Sequence, residues 1–424
     1  MTQTHAFFHD FVKARARQGQ LVVQPRMGFS DAAAMRRGLE AVAAARVPAI
    51  GTITLDSFTR TGDFASARRA VQEGKALNGY PIVTYSDAQN RQLLAGLRGP
   101  DFPVQVRHGS SLPEEIFRAI VRAGLDATEG GPISYCLPYG RVPLAHSIEA
   151  WRRCTQLFAA ASPSHHIESF GGCMMGQLCP PSMLIAITLI EALFFQENGL
   201  RSLSVSLAQG TNARQDVAAL RALRQLGEEY LGPAEHWHIV FYTFMGKFPQ
   251  TYPGARALME ESARIARAGG AERLIVKTVK EAHQIPQIQD NLDALCWSYQ
   301  AACEPAALPL DEAEVQAATE VIVAEARCLL HTLLNLGSNI GRGIELAFAR
   351  GYWDVPFCLH PDNRRRSFAC IDERGYTGWA ATGRIPFPRQ LVAAGRQRPL
   401  TSGALFDMLS YNQLRYDAVP ALAG

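Results

Sequence analysis

The sequence predicts an α/β protein: a (β/α)8 TIM barrel followed by a C-terminal helical and irregular appendage. Short apolar runs alternate with helical stretches over most of the 424 residues, which is typical of a parallel sheet with crossover helices. No GxGxxG follows the first run, so the pattern disfavours an open dinucleotide-binding sheet. Charged residues follow several runs, as the C-terminal face of a barrel requires. We assign residues 1–300 to the barrel and residues 301–424 to the appendage.

Nine segments are candidate strands, one more than an eight-stranded barrel accommodates. They centre on residues 21–23, 50–54, 81–83, 103–106, 125–128, 166–168, 202–206, 238–242 and 273–277. We expect that one of the nine is not a strand or marks an extra element. Residues 125–128, which include the strand-averse Asp126, and residues 166–168 are the weakest candidates.

Helical patterns lie between these segments, at residues 31–45, 113–123, 183–198, 216–230 and 255–267. After about residue 300 the pattern changes. A Pro/Ala-rich connector precedes a long predicted helix over residues 311–336 and a shorter one over residues 342–350. From Tyr352 onward the chain is rich in Gly, Pro and Arg, and we expect it to be irregular and packed on the barrel or on a partner.

The composition excludes several functional classes. The 42 Lys and Arg residues nearly balance the 39 Asp and Glu residues, a net charge of +3 that does not favour nucleic acid or an anionic membrane as a partner. Nine scattered cysteines without a CxxC pair fit reduced thiols, and the N-terminal residues lack the order of a signal peptide, so we expect a cytoplasmic protein. His236 and His238 could ligate a metal, but no third ligand is evident and we expect none.

Residues 129–139 are the most informative stretch of the chain. They combine Glu129, a glycine pair, two prolines and the phenols of Tyr135 and Tyr139 in a segment that suits neither helix nor strand. Polar groups on a shaped loop at the mouth of a rigid scaffold are typical of a functional site, although an ordinary rigid turn is the alternative.

Three arginines also follow predicted strands: Arg26, Arg60 and Arg107. Guanidinium forks match carboxylates, so arginines that converge with Glu129 on one cavity would suit a ligand with two carboxylates and one amine, an acidic amino acid. The alternative is that each arginine makes its own surface ion pair.

These residues lie within a series of motifs that resembles the large (epsilon) subunit of adenosylcobalamin-dependent glutamate mutase, also called methylaspartate mutase. The motifs stand in the family's order over about residues 18–290: residues 23–26, 56–60, 107–109, 129–139, 170–171, 180–182, 245–249, 277–278 and 281–282. The resemblance implies a (β/α)8 barrel whose C-terminal face meets a separate small cobalamin-binding subunit.

The resemblance also implies roles for individual residues. Three arginines would surround the substrate: Arg26, Arg60 and Arg107. Glu129 would be the amine partner and proton acceptor, and Tyr135 and Tyr139 would be hydrogen-bond donors to the substrate. The residues around the cofactor would be the ribose-binding Lys277 and Glu281, with Gly28, Thr54, Pro138, Phe170 and Met245 lining it.

The implied reaction is a reversible radical rearrangement between (S)-glutamate and (2S,3S)-3-methylaspartate. The cobalamin-binding signature DxHxxG is absent from the sequence, which predicts an obligate small (sigma-type) partner subunit, and the family assembly implies a homodimer of this chain within a heterotetramer. Two alternatives remain open: a cobalamin-dependent mutase acting on a related dicarboxylate, and a non-catalytic amino-acid-binding barrel.

Overall fold

Eight parallel strands form the central sheet, in the order β1-β8-β7-β6-β5-β4-β3-β2. The structure is a computed structural model that describes residues 8–138, 140–171, 178–232, 236–304, 308–388, 390–391 and 401–418. The strands are β1 (Val22–Pro25), β2 (Gly51–Thr54), β3 (Val104–Arg107), β4 (Ala127–Glu129), β5 (His166–Ser169), β6 (Ser202–Ala208), β7 (His236–Tyr242) and β8 (Arg273–Val276). A parallel bridge between Val23 and Ala49, just before β2, joins the two ends of this order. The predicted barrel is therefore confirmed.

The surplus strand candidate is residues 81–83, which form a turn instead of a strand. The amide of Thr84 donates to the carbonyl of Pro81 at 2.8 Å, and Pro81 itself has no amide hydrogen for a sheet ladder. The two segments judged weakest are real strands, β4 and β5, so that ranking was wrong. Both are paired on each side within the sheet, and the strand-averse Asp126 lies just before β4 and not inside it.

The helices that surround the sheet follow the predicted alternation. They are α2 (Ala32–Ala43), α3 (Ser57–Thr61), α4 (Phe64–Gln72), α5 (Asp87–Leu94), α6 (Glu114–Arg122), α7 (Leu144–Ala161), α8 (Pro181–Glu197), α9 (Ala213–Tyr230), α10 (Tyr252–Gly269) and α11 (Ile288–Cys303). Helix α8 is buried on nearly all sides because α12 (Glu312–Leu334) and α13 (Ile340–Arg350) cover its outer face. None of the described helices is long and apolar enough to cross a membrane.

An unpredicted helix, α1 (Phe8–Arg17), covers the N-terminal end of the barrel. The ring of Phe8 stacks on His166 at a centroid distance of 4.7 Å, and the guanidinium of Arg273 lies 5.2 Å from the same ring. His166 and Arg273 are the first residues of β5 and β8, so α1 closes the face of the barrel opposite to the strand ends.

The C-terminal region is more regular than the sequence indicated. Beyond α13, strands β9 (Ser367–Ile371) and β10 (Thr377–Thr382) form an antiparallel hairpin, and α14 (Ser402–Asp417) packs on α10. Local caps specify these elements: Gly375 takes a positive φ of 84° in the hairpin turn, and the Thr401 hydroxyl accepts the amide of Ala404 at the start of α14. The expectation of an irregular chain after Tyr352 was therefore wrong for these segments.

Candidate active site at the carboxyl ends of the strands

A cavity of about 420 Å³ opens at the carboxyl ends of the barrel strands. Its walls carry residues from separate strand ends, which a parallel barrel brings to one face. Eight of the residues singled out in the sequence line it: Arg26, Thr54, Arg60, Arg107, Glu129, Tyr135, Phe170 and Met245. We call this space the site cavity.

The ion pair of Arg107 and Glu129 lies at the inner end of the site cavity. Arg107 Nε donates to Glu129 Oε2 at 2.6 Å, and the two side chains are only 5% and 1% exposed. The Tyr135 hydroxyl donates to Glu129 Oε1. Burial raises the pKa of Glu129, the charge of Arg107 opposes that rise, and the charge of Glu168 adds to it. Although burial opposes its charge, Glu129 holds the pKa of Arg107 well above its usual range.

The guanidinium of Arg107 presents its other two nitrogens to a ligand. Within the described residues, Nη1 and Nη2 make no hydrogen bond, while Nε is held by Glu129. The guanidinium carbon lies 5.6 Å from the centre of the Phe170 ring and 5.2 Å from that of Tyr242. The fork is thus fixed by an ion pair and two aromatic rings, with two donors available for a carboxylate.

The other two arginines reach the site cavity from different elements. Arg60 lies on α3, where its Nε is 3.4 Å from the carbonyl oxygen of Asp56. A Cβ placed on Gly109, just after β3, would lie 3.6 Å from Arg60 Cδ, so the ends of these two elements are in contact. Arg26 follows β1 and donates to Glu281 at 3.0 Å, which ties it to a carboxylate that the sequence assigned to the cofactor.

Lys277 and Glu281 form an ion pair beside the site cavity without lining it. Lys277 Nζ lies 2.9 Å from Glu281 Oε1 and 5.1 Å from the centre of the Phe248 ring. Burial lowers the pKa of Lys277 from 10.5 to about 8, against the opposing charge of Glu281. Burial also disfavours the charge of Glu281, but Arg26 and Lys277 outweigh it and lower its pKa to about 2. The cluster therefore holds two positive groups around one firmly ionised carboxylate.

A buried carboxylate that sequence reasoning did not assign to the site shapes the loop after β4. Glu191, on α8, accepts the amides of Ile133 and Ser134 at 2.8 Å each, and its other oxygen accepts the hydroxyls of Ser134 and Ser169. These contacts fix the turn that carries Tyr135 into the site cavity. The available signal was a carboxylate inside the otherwise apolar helix predicted at residues 183–198.

Gly28, Pro138 and Tyr139 are the remaining predicted site residues. Gly28 packs against β2, where an added Cβ would lie 2.3 Å from the carbonyl oxygen of Thr54. Pro138 lines a neighbouring cavity of about 330 Å³, between the loop after β4 and C-terminal residues such as His360. Tyr139 lies outside the described residues.

Residues 3–408 match the family model described as methylaspartate mutase E chain (MutE). The chain belongs to this family.

The relatives that this chain matches are named as subunits of one enzyme, glutamate mutase. The chain is 32% identical over 357 residues to the glutamate mutase epsilon subunit of Escherichia coli O157:H7, a match that covers 80% of this chain and 73% of the relative. It is also 32% identical over 361 residues to the subunit of the same name from Desulfitobacterium hafniense, covering 81% and 74%. Membership of this family identifies the chain as a subunit of a mutase, an isomerase.

A solved structure with a similar outline is the carboxyl transferase domain from Rhizobium etli pyruvate carboxylase. The two chains are 12% identical, the match covers 76% of this chain and 58% of that one, and the TM-score is 0.37. The strand order, not this distant likeness, establishes the barrel of this chain.

Two polar side chains that line the site cavity, His108 and Thr54, carry a buried group that is not hydrogen-bonded within the described residues. His108 Nδ1 accepts the amide of Ser110 at 3.1 Å, so the ring proton of the neutral imidazole is on Nε2. Burial, with the charges of Arg60 and Arg107, lowers the pKa of His108 to about 3. Within the described part of the chain, His108 Nε2 and Thr54 Oγ1 are buried without a hydrogen-bond partner, so each can bond a ligand. His108 lay inside a quoted motif but was not assigned to the site.

The described residues contain no group of three potential metal ligands. His238 faces other side chains: Arg273 Nε lies 3.3 Å from its Nε2, and His9 Nδ1 lies 3.2 Å from its Nδ1.

Proposed function

We propose that this chain is the substrate-binding barrel subunit of an adenosylcobalamin-dependent glutamate mutase that interconverts (S)-glutamate and (2S,3S)-3-methylaspartate. The observation that carries the proposal is the fixed guanidinium of Arg107, which has two available donors and lies against Glu129 in a cavity that Arg60 also lines. Two arginines and one carboxylate complement the two carboxylates and the ammonium of an acidic amino acid.

The residues divide into three roles in this proposal. Arg107 and Arg60 each bind one substrate carboxylate, and Arg26 adds positive charge while it remains bonded to Glu281. Glu129 binds the ammonium and accepts its proton when the reaction requires the neutral amine. Tyr135 orients Glu129 through its hydroxyl, and Tyr139 is a second proposed donor to the substrate.

The side chains around the site cavity fit an adenosyl group. Thr54 offers a buried hydroxyl without a partner among the described residues, and the ring of Phe170 and the thioether of Met245 give an apolar wall. Lys277 and Glu281 offer a donor and an acceptor for the two ribose hydroxyls. Gly28 would leave room for the cofactor, and Pro138 is a further proposed residue of its lining.

Adenosylcobalamin, when bound, would supply the radical that starts a carbon-skeleton rearrangement. The barrel then has to hold the substrate rigidly and exclude water and stray hydrogen donors. A pocket with Arg107 and Glu129 almost fully buried suits that task. The chain has no DxHxxG signature, so we propose that a small sigma-type subunit binds the cobalamin and docks on the cavity face, in a cytoplasmic heterotetramer built on a homodimer of this chain.

Reconstitution tests this function directly. The purified chain is mixed with a small cobalamin-binding subunit of the family, adenosylcobalamin and (S)-glutamate, and 3-methylaspartate is measured by proton NMR. Formation of methylaspartate that requires both chains and the cofactor supports the proposal. Turnover of only another dicarboxylate would favour a related mutase, and glutamate binding without turnover beside a competent partner would favour a non-catalytic binding barrel.

A further inference from the structure

The interior of the barrel beneath the site cavity is polar, whereas the centre of such barrels is usually filled by branched apolar side chains. Tyr242 from β7, Glu168 from β5 and Arg273 from β8 are all fully buried there. None of the three was assigned to the site from the sequence. Together they form a column of hydrogen bonds that begins at Glu129 and runs toward the N-terminal end of the barrel.

Tyr242 is the upper member of this column. Its hydroxyl oxygen lies 3.1 Å from Glu129 Oε2 and also donates to Glu168 Oε1. Its ring lies 5.2 Å from the guanidinium carbon of Arg107 and packs on Phe170 at a centroid distance of 4.6 Å. Tyr242 therefore touches both partners of the ion pair that we assign to substrate binding.

The lower members hold Tyr242 in place. Glu168 Oε2 is paired with Arg273 Nη2 and accepts a hydrogen bond of 3.2 Å from Gln105. Arg273 is further bonded to Gln24 and, at 3.2 Å, to Ser204. Because partners from several strands surround the Glu168 carboxylate, its position is fixed by the barrel itself.

A phenol has one hydroxyl hydrogen, so Tyr242 can donate fully to only one of the two carboxylates that it contacts. When the hydrogen points to Glu129, it stabilises the anionic form of that carboxylate. When it points to Glu168, the Tyr242 oxygen faces Glu129 and disfavours the anion. The charge of Glu168 thus reaches Glu129 both directly and through the orientation of this hydroxyl.

We propose that Tyr242 is a positioning residue that sets the orientation and the charge of Glu129, and that Glu168 acts on Glu129 through it from inside the barrel. This inference rests on the proposed function and deepens it, since Glu129 is the group that would bind the substrate amine. Within the described residues, four groups act on the Glu129 carboxyl: Arg107 from β3, Tyr135 from the loop after β4, Tyr242 from β7 and Glu168 from β5.

Two variants are expected to shift the ionisation of Glu129 in the same direction. Tyr242→Phe keeps the ring beside Arg107 but removes the hydroxyl oxygen that faces Glu129 while its hydrogen points to Glu168, so Glu129 should lose its proton at a lower pH. Glu168→Gln removes a neighbouring negative charge and leaves the charge of Arg273, so Glu129 should again lose its proton at a lower pH. Unchanged circular dichroism spectra distinguish these shifts from a loss of structure.

The first measurement is the pH profile of kcat/KM for glutamate in the reconstituted complex. We expect the acid limb of Tyr242→Phe to move downward by about one pH unit, a decrease of roughly tenfold in KM at a fixed acidic pH, with a smaller change in kcat. The control is Tyr80→Phe, since Tyr80 is also buried and donates to Asn90 at 2.8 Å, but its hydroxyl bonds away from Glu129. Its profile should match the unmodified protein.

The second measurement does not depend on turnover. Carbon-13 NMR of the chain labelled at the glutamate carboxyls, with Glu129 assigned by its loss in Glu129→Gln, follows the Glu129 ionisation directly. A downward shift in Tyr242→Phe supports the inference even if glutamate is not the substrate, in which case only the proposed function fails. Coincident titration curves for Tyr242→Phe and the unmodified chain would overturn the inference, whether or not the complex is active and whether or not Glu168→Gln folds.

Discussion

Replacing Arg107 by lysine keeps a positive charge in the site cavity but removes the planar fork. In the structure, Arg107 uses Nε for Glu129 at 2.6 Å and keeps Nη1 and Nη2 for a ligand. A lysine ammonium has no such division of donors, because a single nitrogen must serve both Glu129 and the ligand carboxylate. The variant should therefore bind glutamate more weakly while the buried Glu129 retains a cationic neighbour.

The size of the effect follows from the contact that is lost. A hydrogen bond to a charged group contributes about 1.5–3 kcal/mol, which corresponds to roughly 10- to 150-fold weaker binding. Alanine at the same position would leave Glu129 buried without its ion-pair partner, a loss of about 3–5 kcal/mol that would confound folding with binding. Lysine is therefore the informative replacement.

Isothermal titration of glutamate into the reconstituted complex measures the effect on affinity, and a urea titration shows whether folding is preserved. Arg122→Lys is the matched control, because Arg122 is exposed on α6 and pairs with Asp87 at 3.1 Å, far from any assigned role. We expect its affinity to equal that of the unmodified protein. Unchanged glutamate affinity and turnover in Arg107→Lys would refute the assignment of Arg107 to a substrate carboxylate.

Three further changes test the framework of the site. Gly28→Ala places a Cβ 2.3 Å from a backbone oxygen of Thr54, so we expect a loss of about 1–3 kcal/mol in the free energy of unfolding, measured with urea. Glu191→Gln cannot accept all four of its hydrogen bonds, three from the loop after β4 and one from Ser169 of β5, so it should lose about 1–3 kcal/mol of stability and weaken glutamate binding in the same titration calorimetry. Glu281 has a pKa lowered from 4.5 to about 2, so its stabilisation is complete above pH 4.5 and is lost as the pH falls toward 2. Glu281→Gln should therefore destabilise the fold by about 1–3 kcal/mol at neutral pH, and the difference should shrink through that acid range.

The chain offers matched controls for these changes. Gly99→Ala adds a methyl group where no heavy atom lies within 4 Å, so it should leave stability unchanged. Glu228→Gln alters an exposed carboxylate on α9 and should leave stability at neutral pH unchanged. A Gly28→Ala variant as stable as the Gly99→Ala protein would contradict the close contact between the β1 and β2 ends. A pH-independent effect of Glu281→Gln would contradict the ionised state that we assign to that residue.

The architecture could be predicted from the sequence because the alternation of strands and helices is a local pattern. Arg107 and Glu129 could also be picked out, since a charged residue directly after an apolar run marks a strand end. The sequence did not distinguish residues 81–83 from a strand, because a buried turn can contain the same short apolar run as a strand. Helix α1 escaped prediction because its buried residues contact the far end of the barrel, which no local pattern reveals.

The column of hydrogen bonds formed by Tyr242, Glu168 and Arg273 was not predicted from the sequence, for a related reason. The strands of a parallel barrel are buried on both faces, so alternation does not show which side chains point inward. Tyr242 therefore looked like one more aromatic residue in a buried run. Its contact with Glu129 joins β7 to β4 across 113 residues of sequence, and such a contact emerges only when the barrel closes.

The most direct test of the central claim is a crystal structure of the chain with (S)-glutamate bound. We predict one substrate carboxylate on Nη1 and Nη2 of Arg107, the other on Arg60, and the ammonium on Glu129. Glutamate bound elsewhere on the protein, or bound in the site cavity without contact to either arginine, would contradict the account.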